Sequence, residues 1–156
     1  MKKNNKILNW ESTDINAALK NLHIFIGDWE ISGKHRLIPN PITGKINFSW
    51  FNGESFLIMR TDFKQSGPPD STAIIGSDDS AGKLSMLYFD ERGVSRIYEV
   101  EFNDNILQIL RNFPGFSQRF TGTIKDDSNS IEGVWELCED DINWKKDLEV
   151  IYTRIK

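Results

Sequence analysis

Gly27-Asp28-Trp29-Glu30-Ile31-Ser32-Gly33-Lys34-His35-Arg36-Leu37 decides the fold. Trp29, Ile31, Gly33, His35 and Leu37 alternate with Glu30, Ser32, Lys34 and Arg36. Successive side chains of an extended strand point to opposite faces, so this period of two describes a strand with one apolar and one polar face. Before Gly27 the period is different. Ile15, Ala18, Leu19, Leu22, Ile24 and Phe25 recur at helical spacing, and Thr13 or Asp14 stands where a cap would accept the first free amides. The sequence therefore predicts one short amphipathic helix over 13–25, followed by strands.

The period of two persists to the end of the chain, in segments separated by Gly, Pro, Asn and Asp. Ten strands are expected, at 29–37, 45–51, 55–64, 72–77, 83–89, 94–102, 106–112, 117–125, 130–138 and 147–155. Connections such as Asn52-Gly53, Asp90-Glu91-Arg92-Gly93 and Asn103-Asp104-Asn105 are too short for the crossover that a parallel pair needs. An antiparallel meander of this length leaves two unpaired edges unless it closes on itself. The expected fold is all-β: a closed antiparallel up-and-down barrel of about ten strands, wide enough to hold one small ligand.

Composition agrees with a single compact unit. The 156 residues suit one domain, expected over 13–156 behind an N-terminal extension at 1–12. Nineteen basic residues against 23 acidic ones give a net charge of -4, which disfavours nucleic acid and anionic lipid as partners. No apolar run approaches the ~20 residues of a membrane span. Cys138 is the only cysteine, so no intrachain disulfide forms, and the basic start Met1-Lys2-Lys3 is followed by no apolar stretch. A cytoplasmic location is the expectation. Zinc spacings, phosphate-binding loops, nucleophile elbows and HExxH are all missing from the sequence.

Gly27-Asp28-Trp29 at the start of the first strand, with Arg154 on the last, resembles the calycin arrangement. There a basic side chain from the final strand packs over the tryptophan that opens the first. The stretches Phe25–Glu30, Tyr88–Tyr98, Phe116–Phe120 and Gly133–Glu136 are similar to bacterial lipocalin-like barrels of the DUF1579-like kind. That resemblance implies the barrel and supplies no activity. A more distant resemblance runs to the nitrobindin-like haem barrels, in which a last-strand histidine ligates iron. The matching positions here are Asp147 and Glu149, so no cofactor is expected. If haem binds, His35 or Tyr98 has to supply the axial ligand.

Strand parity selects the lining. His35, Phe48, Trp50, Arg96, Tyr98 and Trp135 fall on apolar faces and are the expected ligand-binding residues. An inward guanidinium is costly unless it meets an acid, water or an anionic ligand, and Arg96 is therefore the most informative side chain. One reading pairs it with an inward acid such as Asp62, or sets it at the barrel rim with its head in solvent. The other gives the anionic head of a ligand to Arg96, Tyr98 and His35, with Phe48, Trp50 and Trp135 around an apolar tail. Residues 55–63 and 106–110 are apolar on both parities and suggest cover by the helix or by a second subunit, a possible homodimer. The leading expectation is binding of a small hydrophobic or amphipathic molecule. The competing one is a lipocalin-fold decarboxylase or isomerase with Tyr98 and His35 as acid and base.

Overall fold

The computed structural model describes residues 17–51, 53–64, 67–78, 82–125 and 127–156. The expected extension at 1–12, the caps Thr13 and Asp14, and Trp10 lie outside the described residues. One α-helical turn (Ala17–Lys20) runs directly into a 3₁₀ turn (Asn21–Phe25), in place of the regular helix expected up to Phe25.

Ten strands follow: β1 (Gly27–His35), β2 (Ile42–Phe51), β3 (Phe56–Phe63), β4 (Ser71–Asp78), β5 (Lys83–Asp90), β6 (Ser95–Asn103), β7 (Ile106–Arg111), β8 (Ser117–Ile124), β9 (Ser130–Cys138) and β10 (Trp144–Arg154). Each pairs antiparallel with its neighbours in sequence, and β1 pairs with β10, so the sheet is a closed up-and-down barrel. Closure gives every strand two partners and removes the edges that a meander would expose. No described helix is long and apolar enough to cross a membrane.

The alternation read in the sequence is the alternation of burial. Trp29, Ile31, Ile46, Phe48, Val100, Ile131, Leu148 and Val150 are buried, while their strand neighbours Glu30, Ser32, Lys45, Glu99, Glu132 and Glu149 are exposed. In β3 the inward set is Leu57, Met59, Thr61 and Phe63, which puts Arg60 and Asp62 outside. In β7 Leu107 and Ile109 are buried and Gln108 is exposed. On the outer face Ile58, Ile74, Leu87 and Ile97 stand in register across β3 to β6 as one aliphatic row. Its burial runs from Ile58 at 6% exposure to Ile97 at 67%.

Where β8 meets β9, Gly122 pairs with Gly133. The Phe120 ring lies across both: a Cβ on Gly133 would sit 2.5 Å from that ring and one on Gly122 2.6 Å from it. An aromatic covering a glycine pair lets the sheet bend tightly without opening a void.

One end of the barrel is plugged. Leu19, Leu22 and Phe25 are buried, and the Phe25 ring lies 5.6 Å from Phe48 and 5.2 Å from Phe102. Trp29 is fully buried and its indole Nε1 donates to the Phe25 carbonyl at 2.8 Å. The Arg154 guanidinium stacks 4.1 Å over the Trp29 ring. It also donates to the carbonyls of Ile26 (2.7 Å), Ile24 (2.6 Å) and Ser128 (3.2 Å). The charge is thus spent on carbonyls that the short helix and a turn leave unmatched.

Candidate binding cavity

Up-and-down connectivity brings the ends of β1, β3 and β5 and the starts of β4, β6 and β8 to the end opposite the plug. Residues 67–70, 91–94 and 112–116 frame that end, and a cavity of about 260 Å³ opens beneath them. Ile46, Phe48, Met86, Leu107, Ile109 and Phe120 form its deep wall. Arg92, Arg96, Tyr88, Tyr98, Gln118, His35 and Asp147 contribute the polar groups, and Pro68, Pro69 and Phe116 line it from the loops. Thr61, a polar side chain buried to 7% exposure, also reaches it.

Of the six residues expected from parity, His35, Phe48, Arg96, Tyr98 and Trp135 line this cavity. Trp50 does not. It is half-buried against the core near the end of β2, two residues past Phe48 toward the plug, so it shares the inward face but not the cavity's height. Parity assigns a face of the sheet and says nothing of depth along the barrel axis. Gln118 is among the residues that sequence reading missed, although the period of β8 (Gln118, Phe120, Gly122, Ile124) already placed it inward.

Gln118 joins the polar groups. Its Oε1 accepts from Tyr98 Oη at 2.7 Å and from Arg96 Nη1 at 3.0 Å. Arg96 also lies over the Phe116 ring, 5.0 Å from its centroid. The suggested partner Asp62 is on the outer face, and no acid bonds Arg96 among the described residues. Arg111, one strand further on, donates to the Phe116 carbonyl at 2.9 Å and covers the Phe113 ring at 4.5 Å. Burial pushes the Tyr98 hydroxyl above its ordinary value, and Arg96 and Arg111 pull the other way.

Two other arginines at this end meet carboxylates. Arg92 forks onto Asp90 at 2.7 and 3.2 Å, and Tyr88 donates to the same carboxylate at 2.9 Å. Burial first, then that bond, raises the Tyr88 hydroxyl. The register of β10 shifts between Lys146 and Leu148, and this bulge turns Asp147 toward the cavity. There Asp147 meets Arg36 at 3.2 Å and His35 Nε2 at 3.6 Å. Glu136, which also borders the cavity, is gripped by Arg119 at 2.6 and 3.2 Å, and that guanidinium covers Trp144 at 4.1 Å. Cys138 is buried with its thiol 3.7 Å from Asp140.

Asp90 makes a pH prediction. Its carboxyl is held at about 2 rather than 3.8, chiefly by the Arg92 hydrogen bond and further by Tyr88. The folded chain binds this proton less tightly than the unfolded one. The stabilisation is therefore complete above about pH 4 and is lost as the pH falls toward 2. Denaturant midpoints measured across that window should fall in the parent and fall less in Asp90→Asn; parallel curves would remove Asp90 from the acid limb.

The donor set does not suit haem. His35 Nδ1 accepts the Leu37 amide N–H at 3.1 Å, so Nε2 carries the ring proton and faces Asp147. His35 therefore has no lone pair left for iron. Tyr98 is held as a protonated donor to Gln118, where a tyrosinate would be needed. The same bonds leave His35 and Tyr98 without a free acid–base couple facing the cavity.

A closed ten-strand antiparallel barrel, plugged at one end and hollow beneath the other, fits the outline of a lipocalin-like barrel only coarsely. Among solved structures, the chain is similar to Rv2717c from M. tuberculosis, with a TM-score of 0.65 and 12% identity over 92% of this chain and all of that one. A DUF3598-family protein of unknown function from Nostoc punctiforme aligns over 90% of this chain and all of its own, at 9% identity and a TM-score of 0.27. At these identities the likeness to Rv2717c describes the fold alone. No family model and no curated protein matches the sequence, and the DUF1579-like and nitrobindin-like resemblances gain no support.

Proposed function

We propose that the barrel binds one small amphipathic molecule. Its apolar part lies against Phe48, Met86, Phe120 and Trp135, and its polar end stays at the mouth beside Arg96, Tyr98 and Gln118. The two-part lining of the cavity carries this reading: aliphatic and aromatic walls below, a few converging polar groups above. That is the usual make-up of a small-molecule site, and about 260 Å³ lies just below the ~300–1,000 Å³ such sites span. A ligand of roughly ten non-hydrogen atoms fits, taking ~30 Å³ for each water it replaces.

Native mass spectrometry tests it with octanoate and 1-octanol as probes. One bound molecule per chain is expected, and Met59→Trp, which pushes an indole into the cavity from β3, should abolish binding while the circular dichroism spectrum stays that of a barrel. Failure of both probes to bind at millimolar concentration would overturn the reading.

A further inference from the structure

We infer that the polar end of the ligand is a carboxylate, and that Arg96 and the Gln118 side-chain amide hold it. The inference rests on the amphipathic reading above and adds the chemistry of the head group. Gln118 Oε1 has two lone pairs, and Tyr98 and Arg96 occupy both. This fixes the orientation of the amide, leaving its NH₂ as the side with hydrogens to give. Arg96 spends Nη1 on Gln118 and has further N–H groups unspent. The Tyr98 proton is committed to Gln118 and the Tyr88 proton to Asp90. What remains unmet in the Arg96–Gln118 pair is donors, so the group that completes it must be an acceptor.

Charge narrows that acceptor to an anion. Asp90 matches Arg92 and Asp147 matches Arg36, whereas Arg96 faces only a neutral amide and a ring, and Arg111 only a carbonyl and a ring. A chain with a net charge of -4 thus carries an unmatched positive spot at the mouth of its cavity. Guanidinium and amide hydrogens set side by side suit the two oxygens of a planar carboxylate, and a half-buried guanidinium gains most from a charged partner.

The test compares octanoate, 1-octanol and octylamine, three probes of one chain length, by titration at pH 7 while following tryptophan fluorescence. Octanoate should bind at least about tenfold more tightly than 1-octanol, with octylamine weakest. Gln118→Glu keeps an acceptor for Arg96 and Tyr98 but satisfies the guanidinium internally, and should collapse the octanoate-to-octanol ratio to below about two. Arg96→Gln, which keeps a donor without the charge, should collapse it as well and serves if the first variant does not fold. Octanoate and 1-octanol binding the parent within threefold of each other would overturn the carboxylate assignment and leave the amphipathic cavity standing. A ratio unchanged in a folded variant would overturn the roles of the two residues. Binding of none of the three would remove both readings.

Discussion

Trp29→Ala should lower the thermal unfolding midpoint by roughly 6–20 °C. Truncating a fully buried tryptophan costs about 3–5 kcal/mol, and a chain of this length moves ~2–4 °C for each kcal/mol. The loss has three parts. The indole volume leaves a void at the plugged end, the Phe25 carbonyl loses its donor, and the Arg154 guanidinium loses the ring it stacks on. Trp29→Phe separates them: it retains most of the apolar body and gives up the indole N–H, so about 1–2 kcal/mol, or roughly 2–8 °C, is expected. Calorimetry of both variants decides the matter, and an alanine variant melting within 2 °C of the parent would mean that the plug does not hold the barrel.

Gly33→Ala should also be damaging, for a different reason. Gly33 faces Val150 across the β1–β10 seam, and a Cβ there would collide with the Glu149 carbonyl oxygen and come within 3.1 Å of a Val150 methyl. Its φ lies outside the left-handed region, so space rather than backbone conformation bars the side chain. Overpacking against backbone cannot be relieved by a rotamer change; about 1–3 kcal/mol and a fall of roughly 2–12 °C are expected. Gly93→Asn is the control. Gly93 has φ +79° with nothing within 4 Å of a built Cβ, and asparagine tolerates that conformation, so a change below ~1 kcal/mol is expected. Equal losses at the two glycines would mean that conformation, not the seam, sets the cost.

The barrel was legible because most strands have one wet face and each turn carries Gly, Pro, Asn or Asp. Short connections gave the antiparallel order, and closure followed from the two edges that an open meander would expose. The arginine on the last strand was readable as the partner of Trp29, and the structure puts it there. The cavity was legible by face and not by depth: Phe48 and Trp50 share a parity, yet only Phe48 reaches the hollow end. Asp147 was hidden for another reason, because a bulge breaks the period on which parity depends. β3 was ambiguous because Ile58 is apolar on the outer face and stands in a row with Ile74, Leu87 and Ile97, a pattern that only register between strands discloses.

The pairing of β1 with β10 also constrains how the chain reaches its fold. Nine of the ten pairings join strands consecutive in sequence and can form hairpin by hairpin, but the tenth joins Trp29 to Arg154 across nearly the whole described chain. Loop closure over that span is the slowest kind of contact to make, so the final zippering of the seam should limit the folding rate. During synthesis the first nine strands emerge with β1 still lacking a second partner. Until β10 leaves the ribosome the nascent chain has two open edges, and that interval is when it is most exposed to misassembly with its neighbours.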